Sequence, residues 1–409
     1  MASHVRNAAN SIFWTLCIMG FFAILSSTIS KSPVLKPFAT YLGTPTELIG
    51  FVPAASTIPG ILISFPAASL SDIFGRKKFL LLAGFVFASA PFLYLLIPVG
   101  GWWQLIMVRF YHGFATAIFV PVAEASVAEL FPTKRGERIS LFSSVTYVGR
   151  IIAPVLGGYV LLVTVNSFHV YYLAVAVAGV TALIMALVFL AERKQPTATQ
   201  QRKDAKEIVR RLYRGWRTVA KNNDVLIVSF VQASQFYAFG VVEFFLSGYL
   251  PDVAHIDPFL TGIIIASMVF MTVVMKPYMG RISDKTGRRV PIVVGCVISA
   301  LPLLVVPFVT DFWILLILIV VYGFGFAAVT ASTPALISEL VPKEFIGTSM
   351  GFLDTLMDVG QTLGPIISGF IFAGLQYRGV FPSLTIVVLL SATVFALSSI
   401  ARAGSNKNA

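Results

Sequence analysis

Six charged residues interrupt long apolar runs in this sequence: Arg109 and Glu124 in one run, Arg150 in the next, Glu243 in a third, and Asp354 and Asp358 in a fourth. At the centre of a membrane helix each would cost roughly 2.5–3.5 kcal/mol on insertion scales, so each needs a partner or a wet cavity. Asp354 and Asp358 are four apart and share a helix face. Two carboxylates that close repel while both are charged, and a proton on one relieves the repulsion. The pair suits reversible proton uptake, with Asp358 the first choice and Glu243 or Glu124 next. Arg150 stands about eleven residues past the cytoplasmic end of its run, roughly 16 Å deep at 1.5 Å per residue. It can stabilise a charged carboxylate or hold an anionic substrate. Arg109 suits proton coupling or a static ion pair equally well. His112, one turn on, can titrate or pack as a hydrogen-bonded histidine. Glu243, about 18 residues into its run, is expected to face an outer vestibule. Gln232, Gln235, Phe236 and Tyr237, with Tyr322, Phe324 and Phe326, are amides and aromatics fit to line an amphiphilic cavity.

The runs themselves settle the solvent. Of 409 residues, 57% are hydrophobic and 12% charged, against about 25% charged in a soluble domain. Too little polar surface remains to cover a soluble core, so most of the chain must lie in lipid. Measured against the roughly 20 apolar residues that span a bilayer, about twelve runs qualify: 11–30, 47–68, 79–99, 102–130, 139–162, 169–191, 225–249, 259–279, 290–308, 312–340, 349–374 and 380–401. The first is too long for a signal core and reads as a retained span. The net charge of +12 does not point to nucleic acid, because the basic residues cluster between apolar runs. Their alternation places the clusters around Arg76, Lys134, Lys285 and Lys343, and both termini, in the cytoplasm. Cys17 and Cys296 lie in separate runs and offer no metal spacing.

The longest polar stretch, 192–224, divides the chain into expected bundles at 1–191 and 225–409. Ile208, Leu212, Trp216 and Val219 recur in it at helical spacing on a basic background, which fits an amphipathic surface helix or a charged linker. The halves repeat. Asp72, Gly75 and Arg76 return as Asp284, Gly287 and Arg288, an offset of 284 − 72 = 212. Glu129 returns as Glu339, offset 210, and Pro154 as Pro365, offset 211. Duplicated six-span halves are the build of many secondary transporters, whose substrate sites lie near the midplane at the repeat interface. In the repeated loops Gly75 and Gly287 permit a tight turn. The acids and arginines, with Glu129, Glu339 and Arg138, can form a cytoplasmic latch. Gly149, Pro154, Gly157 and Gly158 in the fifth span, and Gly360, Gly364 and Pro365 in the eleventh, suit close helix packing and bending.

These residues resemble the major facilitator superfamily over essentially the whole chain. Its loop between the second and third spans is matched by Asp72, Gly75, Arg76 and Lys77, with Ala68 where glycine is usual. The copy from Gly280 to Arg289 keeps that glycine. Arg109 and Gly113 match its fourth-span element, with His112 in place of the usual glutamine. Gly149, Ala153, Pro154, Gly157 and Gly158 are similar to the fifth-span element of proton-coupled exporters, with alanine for its second glycine. The resemblance implies an all-α membrane protein of two pseudo-symmetric six-helix bundles, expected as a monomer in the cell (plasma) membrane. It implies export of a small amphiphilic molecule in exchange for protons, without cofactor or metal. Uptake or exchange of an organic anion, with Arg150 and Arg109 as counter-charges, is the alternative within transport. A receptor or membrane-embedded enzyme fits poorly: the sequence has no HExxH, nucleophile elbow or Walker loop, and a twofold repeat of six-span halves with paired loops has no use there.

Overall fold

A computed structural model describes residues 2–131, 133–165, 167–192, 221–342 and 345–405. The proposed surface helix within 192–224 falls almost wholly outside them. In the bilayer a chain must satisfy its backbone groups internally, which for apolar runs of this length means helices. The helices are α1 (Ala2–Ile29), α2 (Leu35–Tyr41), α3 (Phe51–Ala54), α4 (Ile58–Phe74), α5 (Arg76–Leu95), α6 (Trp102–Leu130), α7 (Arg135–Val163) and α8 (Phe168–Glu192). They continue as α9 (Asn223–Asp252), α10 (Pro258–Thr286), α11 (Arg289–Val305), α12 (Phe312–Leu340) and α13 (Ile346–Ser405).

Several starts are written in the sequence. Asn222 accepts from the amides of Asp224 and Val225 ahead of α9, Asp257 from Phe259 and Leu260 ahead of α10, and Asp311 from Ile314 ahead of α12. Each carboxylate or amide oxygen satisfies donors that a helix N-terminus leaves bare. Gly75 and Gly287 take φ of +99° and +83°, a region that glycine enters without strain. These are the turns expected of the repeated loops.

One span departs from the expectation of a plain helix. The second is broken into a 3-10 turn (Thr46–Leu48), α3 and α4. The last two, expected as separate runs around a break near 375–379, are two helices within α13 that meet at Gln376, whose φ of 51° and ψ of −154° make a sharp corner. Eleven stretches are therefore long and apolar enough to cross a bilayer, and the longest, Ile346–Ser399, holds two crossings. Among the described residues that makes twelve spans in a multi-pass membrane protein.

The chain forms two compact units. The first is drawn from Met1–Pro45, Phe51–Arg202 and Asp257–Ala266, the second from Thr46–Gly50, Lys203–Ile256 and Ser267–Ala409. A single cut in the 192–224 stretch therefore misses two short exchanges. In the first unit α1 packs on α7 and α8, and α5 on α6 and α8. Phe13, Leu16 and Met19 from α1 meet Phe87, Phe119 and Phe142 in its core. In the second, α9 lies along α13 and α11 along α12. There Tyr249 meets Tyr377 and Phe381 edge-on.

Candidate functional site

The repeated loops build the same cluster twice. Arg76, the first residue of α5, turns back on both neighbouring elements. Its Nε and Nη2 donate to Glu129 Oε1 on α6 at 3.1 and 2.8 Å, and its Nη1 to Ser71 Oγ on α4 at 2.6 Å. Arg288, ahead of α11, donates from Nε to Glu339 Oε1 on α12 at 2.8 Å and from Nη1 to Ser283 Oγ on α10 at 3.4 Å, and pairs with Asp284. The bond to Glu339, then the one to Asp284, raises the Arg288 pKa, so the guanidinium stays charged. The serines escaped the sequence reading, although Ser71 and Ser283 repeat at the offset of the acids beside them. The Asp72 side chain lies outside the described part of the structure.

Arg138 does not join Glu129 as expected. Its guanidinium lies 5.1 Å from the Phe13 ring centroid and 4.6 Å from that of Phe131. Arg76 already holds Glu129 by one oxygen, and a planar cation gains comparably from an aromatic face.

Arg109 and His112 lie deep in the first unit, at 2% and 3% exposure. Arg109 Nη1 donates to Ser30 Oγ and Tyr94 OH, both at 3.3 Å, and Nη2 to Ser56 Oγ at 2.6 Å. Tyr94 OH and Ser30 Oγ also reach His112 Nδ1, at 3.3 and 3.5 Å. Of the two roles left open for Arg109, the static ion pair is not formed among the described residues: its partners are neutral oxygens from the turn after α1, from α5 and from the break before α4. Arg150 on α7 and Glu124 on α6 are partly exposed.

In the second unit the glutamines are spent internally. Gln232 Oε1 accepts from Thr333 Oγ1 at 2.5 Å, and Gln235 Nε2 donates to Ser299 Oγ at 3.1 Å. Both are buried, so they tie α9 to α12 and α11 rather than line a cavity. Tyr237 is buried too, and Glu243, expected at an open vestibule, is 7% exposed within the unit. Span α9 is buried along most of its length, and depth from its end did not reveal that. Phe326 stacks on Phe239 at 5.0 Å and meets Phe236 at 5.2 Å; Tyr322 lies fully buried beside it.

Asp354 and Asp358 differ from these buried groups. Asp354 is exposed and Asp358 partly so. Neither takes part in an ion pair among the described residues. Their helix is set against α9 by small residues. A side chain at Gly360 would strike the Ala233 carbonyl, and one at Gly364 the Tyr237 carbonyl. Gly149 abuts the Phe21 carbonyl, Gly157 the Tyr171 hydroxyl and Gly158 the Pro258 carbonyl, while the Pro154 and Pro365 carbonyls receive Gly262 and Gly50.

The arrangement holds two matched arginine clusters and an accessible carboxylate pair within a twelve-span chain. Known proteins resemble the chain over most of its length. The chain is 24% identical over 366 residues to the multi-drug resistance efflux pump PmrA of Streptococcus pneumoniae, covering 88% of this chain and 89% of the relative. It is 25% identical over 330 residues to the multidrug resistance protein MdtG of Enterobacter lignolyticus, covering 80% and 77%. Among solved structures it superposes on a bacterial homologue of the human lysosomal transporter Spinster with a TM-score of 0.78 at 14% identity, covering 95% and 96%. The nucleoside transporter NupG gives a TM-score of 0.76 at 16% identity, covering 94% and 98%. The family model described as Major Facilitator Superfamily matches residues 16–254 and again 228–408. With the helix count, the duplicated loops and both halves of the chain in agreement, this protein is a secondary transporter, not an enzyme, and belongs to the Major Facilitator Superfamily.

Proposed function

We propose that the protein exports a small amphiphilic organic molecule in exchange for protons by alternating access, as a monomer in the plasma membrane with both termini in the cytoplasm. The observation that carries the coupling is the Asp354–Asp358 pair: two carboxylates on one face of a membrane helix, accessible, and without an ion pair among the described residues. A carboxylate in such a place is costly while charged and cheap while protonated, so its proton occupancy can be linked to the state of the helix that carries it. The direction rests on the relatives, which are named as efflux pumps and multidrug resistance proteins.

The organic-anion reading has less support. Arg109 is already enclosed by Ser30, Tyr94 and Ser56 and is poorly placed to meet a solute. Gating is assigned to the Arg76 and Arg288 clusters, the latter including Asp284, and to Asp72 of the first repeated loop.

The test is flux of a fluorescent amphiphilic dye in proteoliposomes, with and without an imposed pH gradient. Gradient-driven movement of dye against its concentration supports the reading. Movement indifferent to the gradient removes proton coupling, and labelling of Lys203 from outside the cell would refute the topology.

A further inference from the structure

The break in the second span falls beside a proline. Pro59 has no N–H to offer the Ala55 carbonyl, which weakens the helix at this point. Other spans run on through a proline, as at Pro91 and Pro154, whereas here the chain breaks and turns at 55–57. Two hydroxyls satisfy carbonyls just before the turn: Ser56 Oγ donates to Pro53 O at 3.0 Å and Thr57 Oγ1 to Ala54 O at 2.8 Å. The backbone bonds around the turn are short-range, Ser56 N to Pro53 O at 3.3 Å and Thr57 N to Ala54 O at 3.0 Å.

One face of α6 receives this turn. Arg109 and Gly113 are four apart and lie one above the other. A side chain at Gly113 would overlap the Ser56 carbonyl, so the turn's backbone rests directly on α6. Beside it Arg109 Nη2 donates to Ser56 Oγ at 2.6 Å. Ser56 has given its own proton to Pro53 O and offers the guanidinium a lone pair. The far side of the guanidinium is anchored to Ser30 and Tyr94. At 2% exposure water hardly competes for these bonds.

We propose that Arg109 clamps the proline joint of the second span through Ser56, and that losing this bond frees the chain on the outer side of 55–57 to swing. The division of the chain supports a joint here independently. Thr46–Gly50 belongs to the second unit and the chain from Phe51 to the first, so the chain changes its packing partners within a few residues of the turn. Hinges of this kind are a few element-terminal residues that take up backbone rotation. The inference concerns the joint alone and does not rest on proton-coupled export.

Hydrogen exchange on the full-length protein in nanodiscs tests it. A hydrogen bond to a charged group corresponds to roughly ten- to hundred-fold in a local equilibrium. Ser56→Ala and Arg109→Lys are expected to speed exchange of peptides covering 55–61 by at least about ten-fold, while α11 peptides, which Arg109 does not touch, keep their parental rate. Ser56→Thr retains the acceptor and the parental rate. Ser56→Ala also loses the bond to Pro53 O and Arg109→Lys those to Ser30 and Tyr94. The double variant Ser56→Ala with Arg109→Lys is therefore expected to exchange faster than either single one but by clearly less than the product of their effects, because the shared Arg109–Ser56 bond is lost only once. Unchanged exchange in Ser56→Ala, or effects that multiply in the double variant, overturns the clamp. Should Arg109→Lys fail to fold, Ser56→Ala against Ser56→Thr decides alone. Loss of gradient-driven flux in the parent protein would sink the export reading and leave these rates untouched.

Discussion

Arg288 grips Glu339 through Nε at 2.8 Å, and Arg76 grips Glu129 through Nη2 at the same 2.8 Å. The two pairs lie 212 and 210 residues apart in sequence and join equivalent elements of the two halves. Both acids are about half exposed, with side chains at 53% and 44%. Pairs so wet contribute about 0–1 kcal/mol each. Holding the unit together is therefore a poor account of why the cluster is built twice; selecting one arrangement of the spans is a better one.

Transport and stability should therefore respond differently to changes in these clusters. Glu339→Gln is expected to lower the transport rate several-fold while moving the folding free energy by less than about 1 kcal/mol. Asp72→Lys is expected to damage transport more than insertion. The exchanged pair Arg76→Glu with Glu129→Arg should recover part of what either single change loses. Flux and thermal melting on the same preparations check all three, and normal transport by Asp72→Lys would sink the latch.

Asp358→Asn is expected to abolish gradient-driven flux while sparing dye binding, because asparagine keeps the shape and cannot exchange a proton. Asp354→Asn should weaken coupling less. The check is flux at fixed dye concentration over a series of imposed gradients. Unaltered gradient dependence in Asp358→Asn would remove it as the coupling residue.

Arg150→Gln separates two roles. If Arg150 tunes the carboxylates, the pH optimum moves for every substrate. If it holds an anion, anionic solutes are lost and cationic ones spared. We expect the first, read from pH profiles for one cationic and one anionic dye.

Gly364→Val places a side chain against the Tyr237 carbonyl, whereas Gly280 has open space around it. Overpacking of this kind costs about 1–3 kcal/mol. Gly364→Val should lower the melting midpoint and Gly280→Ala should leave it in place.

Some of this was legible in the residues. Gly75 and Gly287 sit where backbone geometry excludes most side chains, so spacing alone gave the turns. Apolar length gave the spans, because nothing else in a bilayer satisfies the backbone. What failed was direction. A charged or amide residue on a span does not disclose which way it points, so Gln232 and Gln235 looked like lining and proved to be ties between helices. Arg138 had both a carboxylate and two phenyl rings within reach, and its composition could not rank them. The break at 55–57 was signalled by Pro53, Pro59 and Gly60, but a ruler of mean apolarity passes over proline. Gln376 carried no signal, being neither glycine nor proline.

The corner at Gln376 has a mechanical meaning. With a single non-helical residue between the eleventh and twelfth spans, a tilt of the helix bearing Asp354 and Asp358 is passed to its neighbour as between the two arms of a bell crank, pivoting where Tyr377 OH donates to Asp252 at 2.8 Å. If these carboxylates carry the coupled proton as proposed, a spin label near the far end of the last span, some tens of ångströms away, is expected to register its binding.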